Sequence, residues 1–371
     1  MPYSLQLAIA AAIVAWALTP AARALAIRLG AIDRPDERRI HTVPTPRFGG
    51  LAIAAAVLGL AWLARTLPGP AITLDPRPLL GLTLASVPIL ALGMVDDRNG
   101  VPPWGKLVVQ TCAALTLTVF GYGVPVLTDP FGPPVALGVL NAPFTVLWVL
   151  VVTNAVNLID GLDGLASGMV VIACAALWLA ARLHGDFYVM FFASLLIGAN
   201  AGFLRWNFPP ARVFMGDTGS QFLGLTLAAV SLLENRKGTA AVTLLLPLVA
   251  LALPLADTVV ALARRLAHRK PVFVGDTQHL HHQFLQAGLP ARAALFWLWL
   301  LCAVFAALAV ALTWLPRSWS ALIVTVLAVV LFVTFEFLRA LSAAPPPAGP
   351  APEVPPADED ADASVRTADP A

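Results

Sequence analysis

The chain has 371 residues, of which 59% are hydrophobic and only 12% are charged. Soluble domains carry roughly 25% charged residues, so this composition excludes an ordinary soluble protein and predicts a membrane protein. The net charge of +2 is too small to indicate a nucleic-acid partner. Cys112, Cys174 and Cys302 each lie in apolar stretches without metal-binding spacing, and we interpret them as small buried side chains.

Apolar runs follow one another along most of the chain, and about eleven of them approach the ~20 residues needed to cross a bilayer core of ~30 Å. They cover residues 3–22, 49–66, 79–95, 105–122, 143–158, 164–182, 187–204, 218–233, 240–263, 293–314 and 319–340. The sequence therefore predicts an all-α, polytopic membrane domain over residues 1–340. Residues 341–371 are rich in proline, alanine and acidic residues, which predicts a disordered cytoplasmic tail.

The basic residues predict how this domain is oriented. Residues 1–22 contain no lysine or arginine, which favours a retained first helix over a signal peptide. If the N-terminus lies outside, all but six of the 23 lysine and arginine residues fall on the cytoplasmic side; the six are Arg65, Arg77, Arg182, Arg236, Lys237 and Arg317. The positive-inside rule thus predicts an external N-terminus and a cytoplasmic C-terminus.

The polar motifs fall in five loops that this topology places on the cytoplasmic side. The segments are "AIDRPDERRIHTVPTPRFGG", "MVDDRNG", "NLIDGLDG", "RWNFPPARVFMGDTGS" and "RRLAHRKPVFVGDTQHLHHQ". Their acids and bases together predict a site for an anionic, metal-bound substrate. A transporter is the alternative from another class, but it would carry its polar groups near the midplane and show internal repeats.

Two of these motifs carry carboxylates that are candidates for catalysis. Asp96 and Asp97 end an apolar run, where adjacent carboxylates tend to share a cation or raise one pKa. A solvated helix end is the alternative for this pair. Asp217 lies between glycines ahead of another apolar run, so it is either an exposed ligand or an N-terminal helix cap.

The segment "NAVNLIDGLDGLASG" places Asn154, Asn157, Asp160 and Asp163 three residues apart at the end of an apolar run. Four residues at that spacing cannot share one face of a continuous helix. We therefore predict a helix break near Gly161 and a polar turn at the membrane surface. For Asn154, hydrogen bonding between helices is the alternative.

The "HLHH" segment holds His279, His281 and His282 close to several arginines. No cysteine accompanies these histidines, and their spacing is not a common zinc pattern. The segment is interpreted as a phosphate-binding loop.

Together the five motifs resemble the polyprenyl-phosphate N-acetylhexosamine-1-phosphate transferases of glycosyltransferase family 4, over residues 1–340. The resemblance implies that a lipid phosphate attacks the β-phosphorus of a UDP-sugar and releases UMP. The "HxHH" form is similar to that of the enzymes acting on UDP-N-acetylglucosamine. Leu280 argues against the alternative, a phospho-N-acetylmuramoyl-pentapeptide transferase. Many relatives have a lysine where Thr42 and Val43 stand, which shifts phosphate contacts of this loop to Arg39 and Arg47.

The resemblance also implies residue roles and partners. The catalytic residues would be Asp96, Asp97 and Asp217, and the metal ligands Asp217 and Asn157, with Mg²⁺ as cofactor and Mn²⁺ as its alternative. The implied substrate-binding residues are Arg47, Lys106, Asn154, Asn157, Asp160, Asp163, Arg265, His279, His281 and His282. The expected partners are a UDP-N-acetylhexosamine, a polyprenyl phosphate and the bacterial cytoplasmic membrane, with no nucleic acid and with a homodimer left open.

Overall fold

The computed structural model describes residues 2–34, 43–127, 135–234 and 289–314, together with scattered positions between 325 and 336. The α-helices within these ranges are α1 (Pro2–Leu29), α2 (Gly49–Thr66), α3 (Pro76–Asn99), α4 (Pro103–Val119), α5 (Asn141–Ile159), α6 (Leu165–His184), α7 (Phe187–Asn207), α8 (Gly216–Glu234) and α9 (Ala291–Trp314). Two short antiparallel pairs of strands join them, β1 (Ile32–Asp33) with β2 (Thr45–Pro46) and β3 (Val126–Leu127) with β4 (Val135–Ala136).

Seven of the described helices, namely α1 to α3, α5 to α7 and α9, are long and apolar enough to cross a membrane. This confirms a mostly helical, multi-pass membrane protein. The predicted runs 105–122 and 218–233 are also helical, as α4 and α8, although neither is among the seven. The run 240–263 lies outside the described residues, and so does most of the run 319–340.

Two helix boundaries bear directly on the predictions. The first helix extends beyond the predicted run 3–22 and ends at Leu29, so Arg23 and Arg28 belong to its last turns. The break predicted near Gly161 is confirmed, because α5 ends at Ile159 and α6 begins at Leu165. Gly164 starts α6 with a φ of +76°, a left-handed conformation that favours glycine.

Helix α8 forms the centre of the bundle. Its residues from Thr218 to Leu233 are all buried, and α2, α3 and α5 pack around it. Two glycines allow the closest approach: a Cβ at Gly93 of α3 would lie 2.3 Å from the Cα of Thr218, and one at Gly50 of α2 would lie 2.1 Å from the Cα of Gly219. Small residues bring helix backbones together in this way, so the start of α8 lies directly against the end of α3.

The outer surface of the bundle is apolar. Leu5, Ile9 and Ile13 of α1 are exposed along one side of that helix, and Trp104 and Val119 of α4 are 70% and 71% exposed. Contiguous apolar surface of this kind is rare on soluble monomers. These side chains therefore provide the contact with lipid.

Candidate active site

The loops at one end of the bundle enclose a cavity of about 1270 Å³. Its walls come from the β1–β2 segment, the end of α3, the α5–α6 turn, the α7–α8 loop and the start of α9. The charged residues that line it are Arg23, Asp33, Arg47, Asp97, Asp160, Asp163, Arg212, Asp217 and Arg292. The end of α1, which carries Arg23, also lines the cavity, so six segments of the chain meet at one end of the bundle.

The Lys106 ammonium joins two of the predicted carboxylates. It forms ion pairs with Oδ2 of Asp96 and with Oδ2 of Asp217, although these residues belong to three different helices. The other oxygen of Asp96 accepts the backbone N–H of Val101 at 2.6 Å, which fixes this carboxylate beside the start of α4. Lys106 therefore neutralises two acids that would otherwise repel each other.

Asn157 holds the other side of the Asp217 carboxylate. Its amide nitrogen donates to Oδ1 of Asp217 at 2.9 Å and to Oγ of Ser220 at 2.8 Å. Both oxygens of Asp217 therefore have a partner from another helix. Because those contacts fix its rotamer, the carboxylate is oriented before any ligand binds.

Asp97 lies beside Asp96 but has different contacts. One of its oxygens accepts the backbone N–H of Asp217 at 2.9 Å, and the other accepts the backbone N–H and the hydroxyl of Thr218 at 3.0 and 2.7 Å. A buried carboxylate in this position caps the positive end of α8. A Cβ at Gly216 would lie only 2.4 Å from Asp97, so glycine is required there.

Arg47 enters the cavity between two acids. Its guanidinium lies 3.0 Å from Oδ2 of Asp33 and 3.7 Å from Oδ1 of Asp97. Arg47 follows directly after β2, so the pairing of β1 with β2 fixes the backbone position of Arg47. This geometry places a fixed cation in the cavity wall, next to the cap of α8.

The α5–α6 turn supplies Asp160 and Asp163. Asp160 lies on the cavity wall, where burial raises its pKa well above the ordinary range and the nearby charge of Asp97 raises it further. Asp163 accepts the backbone N–H of Ala211 at 2.8 Å. It therefore connects this turn to the α7–α8 loop, the segment that leads into α8 and Asp217.

Asn154 lies apart from the residues that line the cavity. Its amide nitrogen donates to Oε1 of Gln110 and to the backbone oxygen of Leu150, both at 2.8 Å. These contacts match the alternative of hydrogen bonding between helices. A role for Asn154 in binding substrate stays a prediction.

The residues fit a magnesium ion that is completed by substrate. Mg²⁺ usually takes one or two protein carboxylates and fills its other positions with phosphate oxygens and water. Asp96 and Asp217 provide two hard oxygen donors that already converge on one cation, the Lys106 ammonium. Within the described ranges no three His, Cys, Asp or Glu side chains are grouped to hold a metal. The donor set therefore suits a metal bound together with a phosphate.

Several contributing residues were not predicted from the sequence. Asp33, Gln110 and Ser220 each hold a predicted residue in place, and Arg212 and Arg292 line the cavity. Ser220 had a detectable signal, because it follows Asp217 within the first turn of the same helix. Asp33 lies in the same polar segment as its partner Arg47, whereas Gln110 had no local signal, because its partners lie on other helices. The predicted residues Arg265, His279, His281 and His282 lie outside the described residues.

Comparisons with known proteins identify the family. Residues 79–235 match the family described as Glycosyl transferase family 4. A protein of Bacillus subtilis named probable undecaprenyl-phosphate N-acetylglucosaminyl 1-phosphate transferase is 35% identical over 300 residues, which cover 80% of this chain and 81% of the relative. The decaprenyl-phosphate N-acetylglucosaminephosphotransferase of Mycobacterium tuberculosis is 35% identical and covers 80% of each chain.

A relative with a different named substrate matches over a shorter stretch. The phospho-N-acetylmuramoyl-pentapeptide-transferase of a Synechococcus strain is 35% identical over 240 residues, which cover 60% of this chain and 64% of the relative. All three relatives are transferases that are named for a phosphate-linked N-acetyl sugar. By sequence and by the arrangement of its motifs, the chain belongs to glycosyl transferase family 4.

Proposed function

We propose that the protein transfers N-acetylglucosamine 1-phosphate from UDP-N-acetylglucosamine to a polyprenyl phosphate. A lipid phosphate oxygen forms a bond to the β-phosphorus, the bond from that phosphorus to the bridging oxygen breaks, and UMP leaves. The product is a polyprenyl diphosphate that carries N-acetylglucosamine. The observation that carries this proposal is the Asp96–Lys106–Asp217 arrangement beside a large cavity in a member of this family.

Charge explains what these residues do in the reaction. Phosphoryl transfer depends mostly on positioning and on neutralising the charge of phosphate oxygens. Lys106 and Arg47 are the described cations closest to the carboxylates, and they bind and orient phosphate oxygens of the two substrates. Asp96 orients the attacking lipid phosphate, and Asp97 keeps the start of α8 in place through its hydrogen bonds.

Asp217 and Asn157 are the residues that would hold Mg²⁺ in this proposal, and the amide nitrogen of Asn157 also orients the Asp217 carboxylate. When bound, the ion stabilises the negative charge of the reacting diphosphate. Asp160 and Asp163 face the nucleotide-sugar from the α5–α6 turn. Arg265, His279, His281 and His282 complete the phosphate contacts. Mn²⁺ is expected to substitute for Mg²⁺.

The finer topology is also part of the proposal. The chain crosses a bacterial cytoplasmic membrane about eleven times through residues 1–340, and residues 341–371 form a cytoplasmic tail. The cavity faces the cytoplasm, where the nucleotide-sugar is available. The positive-inside rule supports this orientation. The described residues at the cavity end include the basic side chains Arg23, Arg47, Lys106, Arg212 and Arg292. A reporter fused after Arg339 should read cytoplasmic, whereas one at Arg236 should read external.

A substrate panel tests the proposed reaction. Purified protein receives polyprenyl phosphate, Mg²⁺ and one of several UDP-sugars, and the release of UMP is measured. UDP-N-acetylglucosamine is expected to release UMP, and UDP-N-acetylmuramoyl-pentapeptide is not. Robust turnover of the pentapeptide substrate would replace this proposal with phospho-N-acetylmuramoyl-pentapeptide transfer. If no donor released UMP, both activities would be rejected.

A further inference from the structure

Three amide side chains, two of them buried and one half-buried, lie one helical turn deeper in the bundle than the charged residues. Gln110 follows Lys106 by four residues on α4, Gln221 follows Asp217 by four on α8, and Asn154 precedes Asn157 by three on α5. Residues at these spacings lie on the same face of a helix. The three helices that carry the site therefore each carry an amide directly below it.

The amides are hydrogen-bonded to one another in a directed chain. Asn154 donates to Oε1 of Gln110 at 2.8 Å, and the amide nitrogen of Gln110 donates to Oε1 of Gln221 at 3.4 Å. Gln110 is 1% exposed and Gln221 is fully buried. The amide nitrogen of Gln221 has no hydrogen-bond partner among the described residues. We call Gln110, Asn154 and Gln221 the amide layer.

Stability alone gives a weak reason for this layer. Hydrogen bonds between membrane helices contribute little on average, because the alternative states of the chain also find partners. An unpaired buried amide is costly, so a leucine at Gln221 would suit the apolar surroundings better than glutamine. The amide layer must therefore be explained by the geometry that it imposes on its neighbours.

We propose that the amide layer is a positioning device for the charged site, which fixes the separation of Lys106 from Asp217. The helices of these two residues, α4 and α8, are joined at the layer by the Gln110–Gln221 hydrogen bond, and α5 contacts both through Asn154 and Asn157. If the layer is lost, α4 can shift against α8, and the carboxylates of Asp96 and Asp217 no longer converge. This inference rests on the proposed function only for its kinetic readout.

The interface between α5 and α8 offers a control. Further along the α5–α8 interface, the indole N–H of Trp148 donates to Oγ of Ser231 at 3.0 Å, and both residues are buried. This contact also joins α5 to α8, but it lies several turns away from Asp217. Ser231→Ala removes an interhelical hydrogen bond without touching the amide layer.

The experiment uses the full chain in lipid nanodiscs, with Mn²⁺ as the metal probe. Wild type, Gln110→Leu, Gln221→Leu and the double variant are compared with Ser231→Ala. Mn²⁺ affinity is measured by electron paramagnetic resonance, unfolding by a thermal melt, and kcat and KM by UMP release. Leucine keeps the volume of glutamine closely enough to retain packing.

We expect both single variants to bind Mn²⁺ about tenfold more weakly and to lose about tenfold in kcat, as is typical when partners that orient a ligand are removed. The KM for UDP-N-acetylglucosamine should change less than about twofold, because the amide layer lies away from the cavity. The double variant should resemble the singles, since the chain acts as one unit. Ser231→Ala should have the Mn²⁺ affinity and kcat of wild type. Across the variants, the loss of Mn²⁺ affinity should not correlate with a lower melting temperature.

Wild-type Mn²⁺ affinity and kcat in Gln110→Leu and Gln221→Leu would overturn the inference, whatever happens to the melting temperature. An equal loss of Mn²⁺ affinity and kcat in Ser231→Ala would overturn it too, since any interhelical hydrogen bond would then have the same effect. If Gln110→Leu fails to fold, Gln221→Leu decides, because it removes only the acceptor of the longer bond. If the Mn²⁺ affinities of wild type and the variants follow the expected pattern but wild type releases no UMP, the proposed function is rejected. The positioning role of the amide layer is then retained.

Discussion

The two halves of α8 are buried from Thr218 onward, yet they are stabilised in different ways. The first turns, from Gly216 to Gln221, carry an acid, two hydroxyls and an amide whose partners come from α3, α4 and α5. The remainder, from Phe222 to Leu233, consists mainly of leucine, alanine and valine packed against neighbouring helices. The first half depends on particular partners at particular distances, whereas the second depends on filled volume. Changes in the first half should therefore affect chemistry, and changes in the second should affect stability.

The largest expected effect is at Asp217. Asp217→Asn should lower UMP release by about 10³-fold, because an amide is a poor ligand for a hard cation and no longer attracts Lys106. The response to Mg²⁺ should weaken as well. Asp96→Asn should instead lower turnover while UDP-sugar binding is largely kept, since its partner is the lipid phosphate.

These two variants are compared by UMP release across a Mg²⁺ titration and by calorimetry of UDP-sugar binding. Asp186→Asn is the matched control, because Asp186 caps α7 at the opposite end of the bundle. It should keep turnover within about twofold of wild type. Full activity of Asp217→Asn with an unchanged Mg²⁺ response would refute the assignment of Asp217.

Lys106 should give the next largest effect. Lys106→Met should lower turnover by about 10²-fold, because a cation that orients phosphate is lost. The same change leaves Asp96 and Asp217 facing each other without a counter-charge, so a divalent metal should bind more tightly. Metal affinity and turnover thus move in opposite directions. Measuring both in one preparation separates this outcome from simple unfolding, which would weaken both.

The apolar half of α8 should respond in the opposite manner. Leu225 is fully buried, and Leu225→Ala should lower the free energy of unfolding by about 2–5 kcal/mol through the cavity it leaves. Turnover per folded molecule should stay within about twofold of wild type. Denaturant unfolding together with active-site-normalised kinetics provides the comparison. A large loss of turnover in folded protein would show that the two halves are not independent.

Asp160 should give the smallest stability effect, and a pH-dependent one. Because its pKa is raised in the folded protein, the carboxyl destabilises the fold progressively as the pH rises above its ordinary value of about 3.9. Asp160→Asn removes this penalty. The melting temperature of the variant relative to wild type should therefore increase with pH and level off above the folded pKa. A difference that is the same at every pH would contradict the raised pKa.

The sequence predicted the elements of the site better than their contacts. Runs of apolar residues indicated the helices, and the break at Gly161 followed from the impossibility of placing Asn154, Asn157, Asp160 and Asp163 on one face. The position of Asn154, one turn deeper in the bundle than the charged residues, could not be predicted. Its hydrogen-bond partner Gln110 lies on another helix. The central position of α8 was equally hidden, since an apolar run has the same pattern whether it faces lipid or protein.

Asp97 illustrates the same limit from the opposite side. The sequence paired it with Asp96 as two neighbouring acids, and nothing in "MVDDRNG" distinguishes them. In the structure Lys106 binds Asp96, whereas the start of α8 binds Asp97. Their separate contacts arise from the packing of α3 against α8 through Gly93, a relation between residues more than a hundred positions apart. Such contacts follow from tertiary packing and have no local signal.

The central claim is that a sugar phosphate, and not a sugar alone, moves to the lipid. UDP-N-acetylglucosamine labelled with ³²P at the β-phosphate and with ³H in the sugar tests this directly, with polyprenyl phosphate as acceptor. We predict that both labels enter the organic-extractable lipid in equal molar amounts while unlabelled UMP accumulates. Tritium in the lipid without ³²P, accompanied by labelled UDP, would contradict the account.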